Sequence, residues 1–453
     1  MVTKSQLGQN LKTMKTKLEI KRMGINGEGI GFWQQKPVFV EGALKDELVL
    51  VDHMQSFGKY FKADLVKVIQ TNPNRCNIGC KKYQVCGGCD LMHANYNYQL
   101  QCKQNYLVES LQKYAPKVPL ELVEPIIGST LSWGYRNHAK LLLKKYNNHW
   151  HAGLYQSGSN HFQAIDHYCK IHDDNINRLI QLLLVALDES NLTNYDHTKK
   201  SGLRAVAIRY VDDQCSITLV TGKESLDKAW IQRLAQLTHA TVIAQVMNTT
   251  KNMVNILDGN IIYLTKMHHL NVKINELTVA ITPQAFFQLN TSGLNQMIQI
   301  IDRYLPNCCS LFEGYCGVGL LSLAVSNKIK RGLGVEIVEP AIVAANKNAR
   351  NNHIDCMQYK VGDSAKELRY YHQKHPVDVV LVDPPRSGLD DNMITTLLKS
   401  NIKTIIYVSC NPSTLAKNLS QLNARYKVKA IQPLDMFPQT LHVETVVLLQ
   451  NTK

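Results

Sequence analysis

The run Ile405-Ile406-Tyr407-Val408 reads as a strand and ends in Ser409-Cys410-Asn411-Pro412, a thiol on a loop stiffened by proline. Most cysteines are small, inert, buried groups, so position decides what this one can do. At the mouth of a ligand crevice a thiolate is a nucleophile. One chemistry that demands it is substitution at C5 of uracil, a carbon too weak to attack a methyl group until a thiolate adds at C6 and turns C5 into an enolate carbon. The same reaction needs a general base for the C5 proton, so that the cysteine can leave. Leu441-His442-Val443-Glu444 precedes a further strand and offers Glu444 for that task. His442 is the other candidate, better suited to orientation or hydrogen bonding. Taken alone, Glu444 would read as a solvated carboxylate at a strand start.

A crevice for a second reactant is also legible. Glu313-Gly314-Tyr315-Cys316-Gly317-Val318-Gly319 follows a predicted strand and opens a helix, and its glycines allow close approach of a nucleotide-like ligand. The next strand ends at Glu336, a carboxylate suited to ribose hydroxyls; beyond it come Gly362-Asp363-Ser364 and Asp383-Pro384-Pro385-Arg386. Acidic groups at successive strand ends face one crevice at the carboxyl edge of a parallel sheet. A dinucleotide fingerprint needs a third small residue, which Ser322 only weakly supplies. The acidic rim suits the amino and ribose groups of S-adenosylmethionine better than a pyrophosphate.

The elements that must position these groups are strands over Ser310–Phe312, Arg331–Val335, Val377–Val382, Thr404–Val408 and Thr445–Leu449, with helices such as Glu339–Asn351 and Ile394–Lys399 between them. That alternation predicts a doubly wound α/β domain over residues 281–453. Residues 1–70 read instead as short strands with glycine corners, a small all-β barrel decorated by lysines at 12, 15, 17, 21, 59, 62 and 67. Between them, 71–280 holds a cysteine-rich loop from Cys76 to Cys89, a helix over Tyr98–Tyr114, and a stretch mixing strands and helices without a placeable signal.

With 453 residues the chain can bury a large core over two to four domains, and 19% charged against 45% hydrophobic residues exclude a wholly disordered chain. Its longest mostly apolar run, Leu179 to Leu187, is about nine residues, against the roughly 17–25 of a membrane span. The first residues carry no apolar signal segment, so a cytoplasmic location is expected. The 51 basic against 36 acidic residues give a net charge of +15, the footprint of a polyanion binder. Twelve unevenly spaced cysteines in a reducing compartment point to metal or catalysis before disulfides. Cys76-x3-Cys80 with Cys86-x2-Cys89 would make a four-thiolate zinc site, and by spacing alone zinc and iron–sulfur are equally open.

Together the motifs resemble the RNA uracil-C5 methyltransferase family, most closely its bacterial 23S rRNA members, which carry an N-terminal TRAM barrel and an iron–sulfur cluster. The resemblance rests on Cys80-x5-Cys86-Gly87-Gly88-Cys89, Phe286-Phe287-Gln288-Leu289-Asn290, Asp383-Pro384-Pro385-Arg386, Ser409-Cys410-Asn411-Pro412 and His442-Val443-Glu444. It implies a Rossmann-like catalytic domain, Cys410 as nucleophile, Glu444 as base, and Gln288, Tyr315, Glu336, Asp383 and Asp363 as S-adenosylmethionine contacts. It further implies a [4Fe–4S] cluster on Cys80, Cys86, Cys89 and Cys169, with Cys76 spare and the other cysteines packed as apolar groups. The expected partner is RNA, ribosomal before transfer RNA, and the expected state a monomer. Glu313 stands where the family usually has aspartate, Tyr135-Arg136-Asn137-His138 replaces Tyr-Arg-Asn-Lys, and Gln245-Val246-Met247-Asn248 replaces Gln-Asn-Ile-Asn. Two rivals are a methyltransferase acting on an exocyclic nitrogen, which would need no cysteine, and a non-catalytic RNA-binding factor.

Overall fold

A computed structural model describes residues 15–83, 85–156, 158–165, 168–251, 255–307 and 309–452, so Lys12, His167 and Cys308 lie outside the described residues. The chain forms two compact units. The first runs to Tyr106 and takes in the short returns Tyr155–His161 and Phe437–His442; the second comprises Leu107–Leu154, Phe162–Met436 and Val443–Lys453.

In the first unit, alternation of apolar and polar residues folds β1 (Thr16–Met23), β2 (Gly29–Trp33), β3 (Lys36–Val40), β4 (Leu48–Ser56) and β5 (Phe61–Gln70) into a closed barrel of order β1-β2-β3-β5-β4. Its interior is filled by Leu18, Ile20, Val38, Val40, Val49, Val51 and Phe61, while Lys15, Lys17, Lys21, Lys59, Lys62 and Lys67 are all exposed. Beyond the barrel, Arg75 forms a forked ion pair with buried Glu47 at 2.6 and 2.7 Å, and Glu47 also accepts from the backbone of Leu44 and Asn72. Burial pushes that carboxyl up, but Arg75 and the two N–H groups outweigh it and hold it below the ordinary glutamate value. The cysteine loop that follows is tied by Tyr83, whose hydroxyl donates to the Asp90 carbonyl at 2.6 Å and meets the buried His93 ring.

Helix α1 (Tyr96–Tyr114) then leads into the second unit. A mixed sheet comes first, made of β6 (His138–Tyr146), β7 (His149–Tyr155), β8 (Phe162–Ala164), β9 (Leu203–Val211), β10 (Gln214–Thr221), β11 (Val242–Met247) and β12 (Asn260–Tyr263), in the order β12-β11-β10-β9-β6-β7-β8. The helices α2 (Asp174–Asp188) and α3 (Lys228–Thr238) bury their apolar faces against it, with Leu179, Leu183, Leu187 and Leu234 meeting Ile208, Ile217 and Leu219 in one core. A short hairpin, β13 (Leu270–Ile274) and β14 (Leu277–Ile281), precedes α4 (Thr291–Tyr304).

The remaining elements are β15 (Cys309–Gly314), α5 (Leu320–Ala324), β16 (Ile329–Glu336), α6 (Glu339–Asn351), β17 (Met357–Val361), α7 (Ser364–Lys374), β18 (Val379–Val382), α8 (Asp391–Lys399), β19 (Thr404–Ser409), α9 (Pro412–Leu422), β20 (Tyr426–Leu434) and β21 (Glu444–Asn451). They build the expected α/β sheet, ordered β17-β16-β15-β18-β19-β21-β20. The first five of these strands are parallel, and β21 runs antiparallel between β19 and β20. The order reverses at β15 and β18, so a crevice opens at their carboxyl ends. The strands read from sequence all exist, mostly extended by one to three residues; β17 and β20 are additions.

Candidate active site

Four loops meet at the carboxyl edge of the α/β sheet. The first follows β15. Gly317 and Gly319 have φ of +53° and +76°, and a Cβ on Gly319 would sit 2.7 Å from the Tyr359 ring, so only glycine fits there. Tyr315 takes the same left-handed conformation, φ +61°, without being glycine. Its N–H donates to Ser364 Oγ at 3.2 Å, which helps hold the strained turn. The second loop ends β16. Glu336 accepts from Gly317 N at 3.3 Å through one oxygen and from Ile337 N and Val338 N at 2.8 and 3.1 Å through the other. It thus ties the glycine turn to the start of α6. Asp363 caps α7, accepting from Lys366 N at 2.8 Å, so a residue read as an adenine contact also satisfies a helix end.

Glu313 lies at the end of β15, 2% exposed, with its Oε2 unpartnered. Burial pushes its carboxyl up to about 8, with Asp383 and Glu336 adding to the effect and Ser322 opposing it. Burial likewise pushes Asp383 up to about 7. Among the described residues these three carboxyl groups converge without an ion pair, an acidic lining that a cationic ammonium or sulfonium group would complement.

The third and fourth loops carry Asp383–Arg386 and Cys410. Asn411 caps α9 through Ser413 N, and its amide donates to the Arg386 carbonyl at 3.2 Å. Thr414 Oγ1 donates to the same carbonyl. Further along, buried Asn418 accepts from Leu389 N and from the Tyr407 hydroxyl, both at 2.9 Å, and donates to the Leu389 carbonyl. The thiol loop and the Asp-Pro-Pro-Arg loop are thus one braced unit. Asn418 was not singled out from sequence, because a lone asparagine in a helical run carries no signal of its own.

Glu444 reaches Cys410 through sheet register. Ser409 pairs with Thr445 across β19 and β21, so the next residues on the two antiparallel strands, Cys410 and Glu444, are neighbours. Glu444 is 5% exposed, which replaces the solvated-carboxylate reading with a buried one. His442 is exposed and belongs to the first unit. Burial pushes the Cys410 thiol up to about 11, helped by Glu444 and Asp383 and opposed by Arg386. The thiol is therefore protonated at neutral pH and must lose a proton to act.

Gln288 lies between β14 and α4. Asn137 grips this loop: its Nδ2 donates to the Gln288 carbonyl at 2.9 Å and to Thr291 Oγ1 at 3.1 Å, and its N–H donates to the Leu289 carbonyl at 2.9 Å. Phe286 stays 71% exposed. Gln245 and Asn248, the two residues of this stretch that match the usual motif, are turned inward. Gln245 donates to Thr221 Oγ1 and Glu224 O, and Asn248 accepts from Thr250 and Arg204. The departure itself falls on Val246, which is buried, and Met247, which is half-buried.

Comparison with known proteins decides the family. A model described as tRNA (Uracil-5-)-methyltransferase matches residues 95–452. The chain belongs to the tRNA (uracil-5-)-methyltransferase family. Relatives described as uncharacterized RNA methyltransferases include one from Listeria innocua, 34% identical over 96% of this chain and 97% of its own. Another, from Streptococcus pyogenes serotype M3, is 33% identical over 96% of this chain and 98% of its own. Among solved structures, the Pyrococcus abyssi tRNA (uracil-54, C5)-methyltransferase in complex with S-adenosyl-L-homocysteine covers 96% of this chain and 99% of that one, at a TM-score of 0.78 and 23% identity, and shares the fold. This uracil-5-methyltransferase family chain is thus an S-adenosylmethionine-dependent RNA methyltransferase with a Rossmann-like domain. Among the described residues no helix is long and apolar enough to cross a membrane.

The expected metal centre is not supported by the arrangement. Among the described residues no group of three or more His, Cys, Asp or Glu side chains could hold a metal ion. Cys80, Cys86 and Cys89 sit on a loop organised by its own hydrogen bonds: Lys82 N donates to Cys80 Sγ, and Cys86 N donates to the Lys82 carbonyl. Cys169, in the second unit, exchanges backbone hydrogen bonds with the Asn177 side chain. Cys76 is exposed; Cys102, Cys215, Cys309 and Cys316 are buried as expected of apolar packing, and Cys356 is half-buried.

Proposed function

We propose that the protein methylates C5 of a uridine in RNA, that Cys410 adds to C6 of the base, and that Glu444 removes the C5 proton. The observation carrying this reading is the register of β19 and β21, which sets a buried carboxylate beside the thiol. Uracil must leave any stack to reach a thiol at a sheet edge. The Cys410 thiol gives up its proton to solvent, and its sulfur forms a bond to C6, so that the ring electrons move onto C5 and O4. Arg386, which opposes the upward shift of the thiol, favours the thiolate. C5 then attacks the methyl group of a bound sulfonium donor, forming the C5–methyl bond as the methyl–sulfonium bond breaks and leaves a neutral thioether; Gln288, Tyr315, Glu336, Asp383 and Asp363 are the candidate contacts for that donor. Glu444 then accepts the proton from C5, the double bond re-forms, and the C6–sulfur bond breaks.

Two further parts of the reading rest on resemblance. The barrel is read as a TRAM-like RNA-binding module and the substrate as ribosomal RNA; a transfer RNA substrate is the alternative, in keeping with the named activity of the Pyrococcus protein. No step above uses a metal cluster, and iron and sulfide analysis of anaerobically purified protein tests for one. The chemistry is tested with 23S rRNA and tRNA transcripts carrying tritium at uracil C5. Donor-dependent release of tritium to water from one of them is expected, abolished in Cys410→Ala. Glu444→Gln is expected to accumulate a covalent protein–RNA band on a denaturing gel. Full activity of Cys410→Ala would overturn the covalent route, and methylation without tritium release would move the reaction to a nitrogen.

A further inference from the structure

The central sheet of the second unit buries a positive charge that no carboxylate answers. Arg209, on β9, is 3% exposed, and among the described residues it makes no ion pair. Burial alone lowers its guanidinium, to about 10, and its Nε has no partner. Burying a cation in this way carries a desolvation penalty that an apolar residue of similar size would avoid.

What Arg209 holds is the loop that carries Gln288. Its Nη2 donates to the Ala285 carbonyl at 3.0 Å and its Nη1 to the Thr282 carbonyl at 3.5 Å, and its guanidinium carbon lies 5.9 Å from the centre of the Phe287 ring. The directly cross-strand residue is His138, whose Nδ1 lies 3.3 Å from Nη2. Burial, and then Arg209 itself, hold His138 well below the ordinary histidine range, so its neutral ring accepts from the guanidinium. With the Asn137 grip on residues 288 and 289, four carbonyls of one short loop are drawn onto the sheet. A planar fork can serve two such carbonyls and a ring face together, which an ammonium cannot.

We propose that Arg209 is a positioning residue for methyl-donor binding, retained because it fixes the backbone of the Thr282–Asn290 loop from which Gln288 meets the donor. The inference rests on the reading of Gln288 as a donor contact, and the test separates the two. S-adenosylhomocysteine is titrated calorimetrically into the full chain as wild type, Arg209→Met, Gln288→Ala and the double variant, with thermal unfolding followed in parallel. Arg209→Met is expected to bind about tenfold more weakly, the scale of one lost charge-assisted hydrogen bond, with its unfolding midpoint unchanged or raised. Gln288→Ala is expected to lose a similar factor, and the double variant to be no more than about twofold weaker than the weaker single, the signature of coupled residues. Arg209→Lys is expected to stay impaired, for want of the fork, and if Arg209→Met fails to fold the same cycle is read with Arg209→Lys. Wild-type affinity in the Arg209 variants, or losses that multiply, would overturn the inference while leaving Gln288 in place. No loss in Gln288→Ala would overturn the Gln288 reading and the inference with it.

Discussion

Cys410 is held as a thiol first by burial and then by the carboxylates near it. Burial, Glu444 and Asp383 all favour the neutral form, and only Arg386 and the local backbone oppose them. A group whose ionisation lies near 11 gains about tenfold more thiolate for each pH unit gained. Alkylation of Cys410 by iodoacetamide in the free protein, read by peptide mass spectrometry, is therefore expected to rise about tenfold per unit from pH 7 to 10 without a plateau. A plateau near pH 8 would mean that the thiolate is already stabilised before substrate arrives. This residue was legible from sequence because a strand end, a cysteine and a proline coincide within four positions. Glu444 was legible only as a position: its burial depends on β20 and β21 pairing, which no local pattern near it announces.

At the scale of elements, β17 and β20 went unread, whereas β15, β16, β18 and β19 were readable because each is a short apolar run followed by a loop residue with chemistry. The central sheet was not, although its turns carry a signal. Asn147-Asn148 and Asp212-Asp213 all have positive φ, the two-residue hairpin geometry that asparagine and aspartate tolerate, and they join β6 to β7 and β9 to β10. For the thiol loop the spacing suggests a metal, while among the described residues no group of three or more ligating side chains gathers and Tyr83 ties the loop. In the barrel unit, the Glu47–Arg75 pair is the decisive polar contact. Removing one partner of a buried pair costs about 3 kcal/mol or more, so Arg75→Ala should lower the first thermal transition by several degrees. The Glu47 carboxyl is depressed in the folded state, so its stabilisation is present at neutral pH and lost as pH falls through that lowered value. The wild-type advantage over Arg75→Ala should accordingly shrink in acid. An unchanged transition at pH 7 would count against the pair.

For the whole molecule, the net charge of +15 separates the two ligands. RNA binding releases counterions in proportion to the phosphates neutralised, with a slope of roughly −0.7 per contact on a single strand. Raising salt from 50 to 200 mM should weaken RNA binding by at least about tenfold, while S-adenosylhomocysteine, which carries no phosphates to neutralise, should change little in affinity. Filter binding and calorimetry measure the two. Equal sensitivity would mean that the donor site is an open, screened surface.

The strand β21 is synthesised after β20 yet lies between β19 and β20. While the ribosome is still delivering residues up to about 443, β19 therefore has an open edge where its neighbour belongs, and Cys410 has no carboxylate beside it from that strand. Within the sheet β20 pairs with β21 alone, so its place there waits for the later strand. On the proposed roles of Cys410 and Glu444, a nascent chain can own its thiol and still lack the base that the last strand brings beside it.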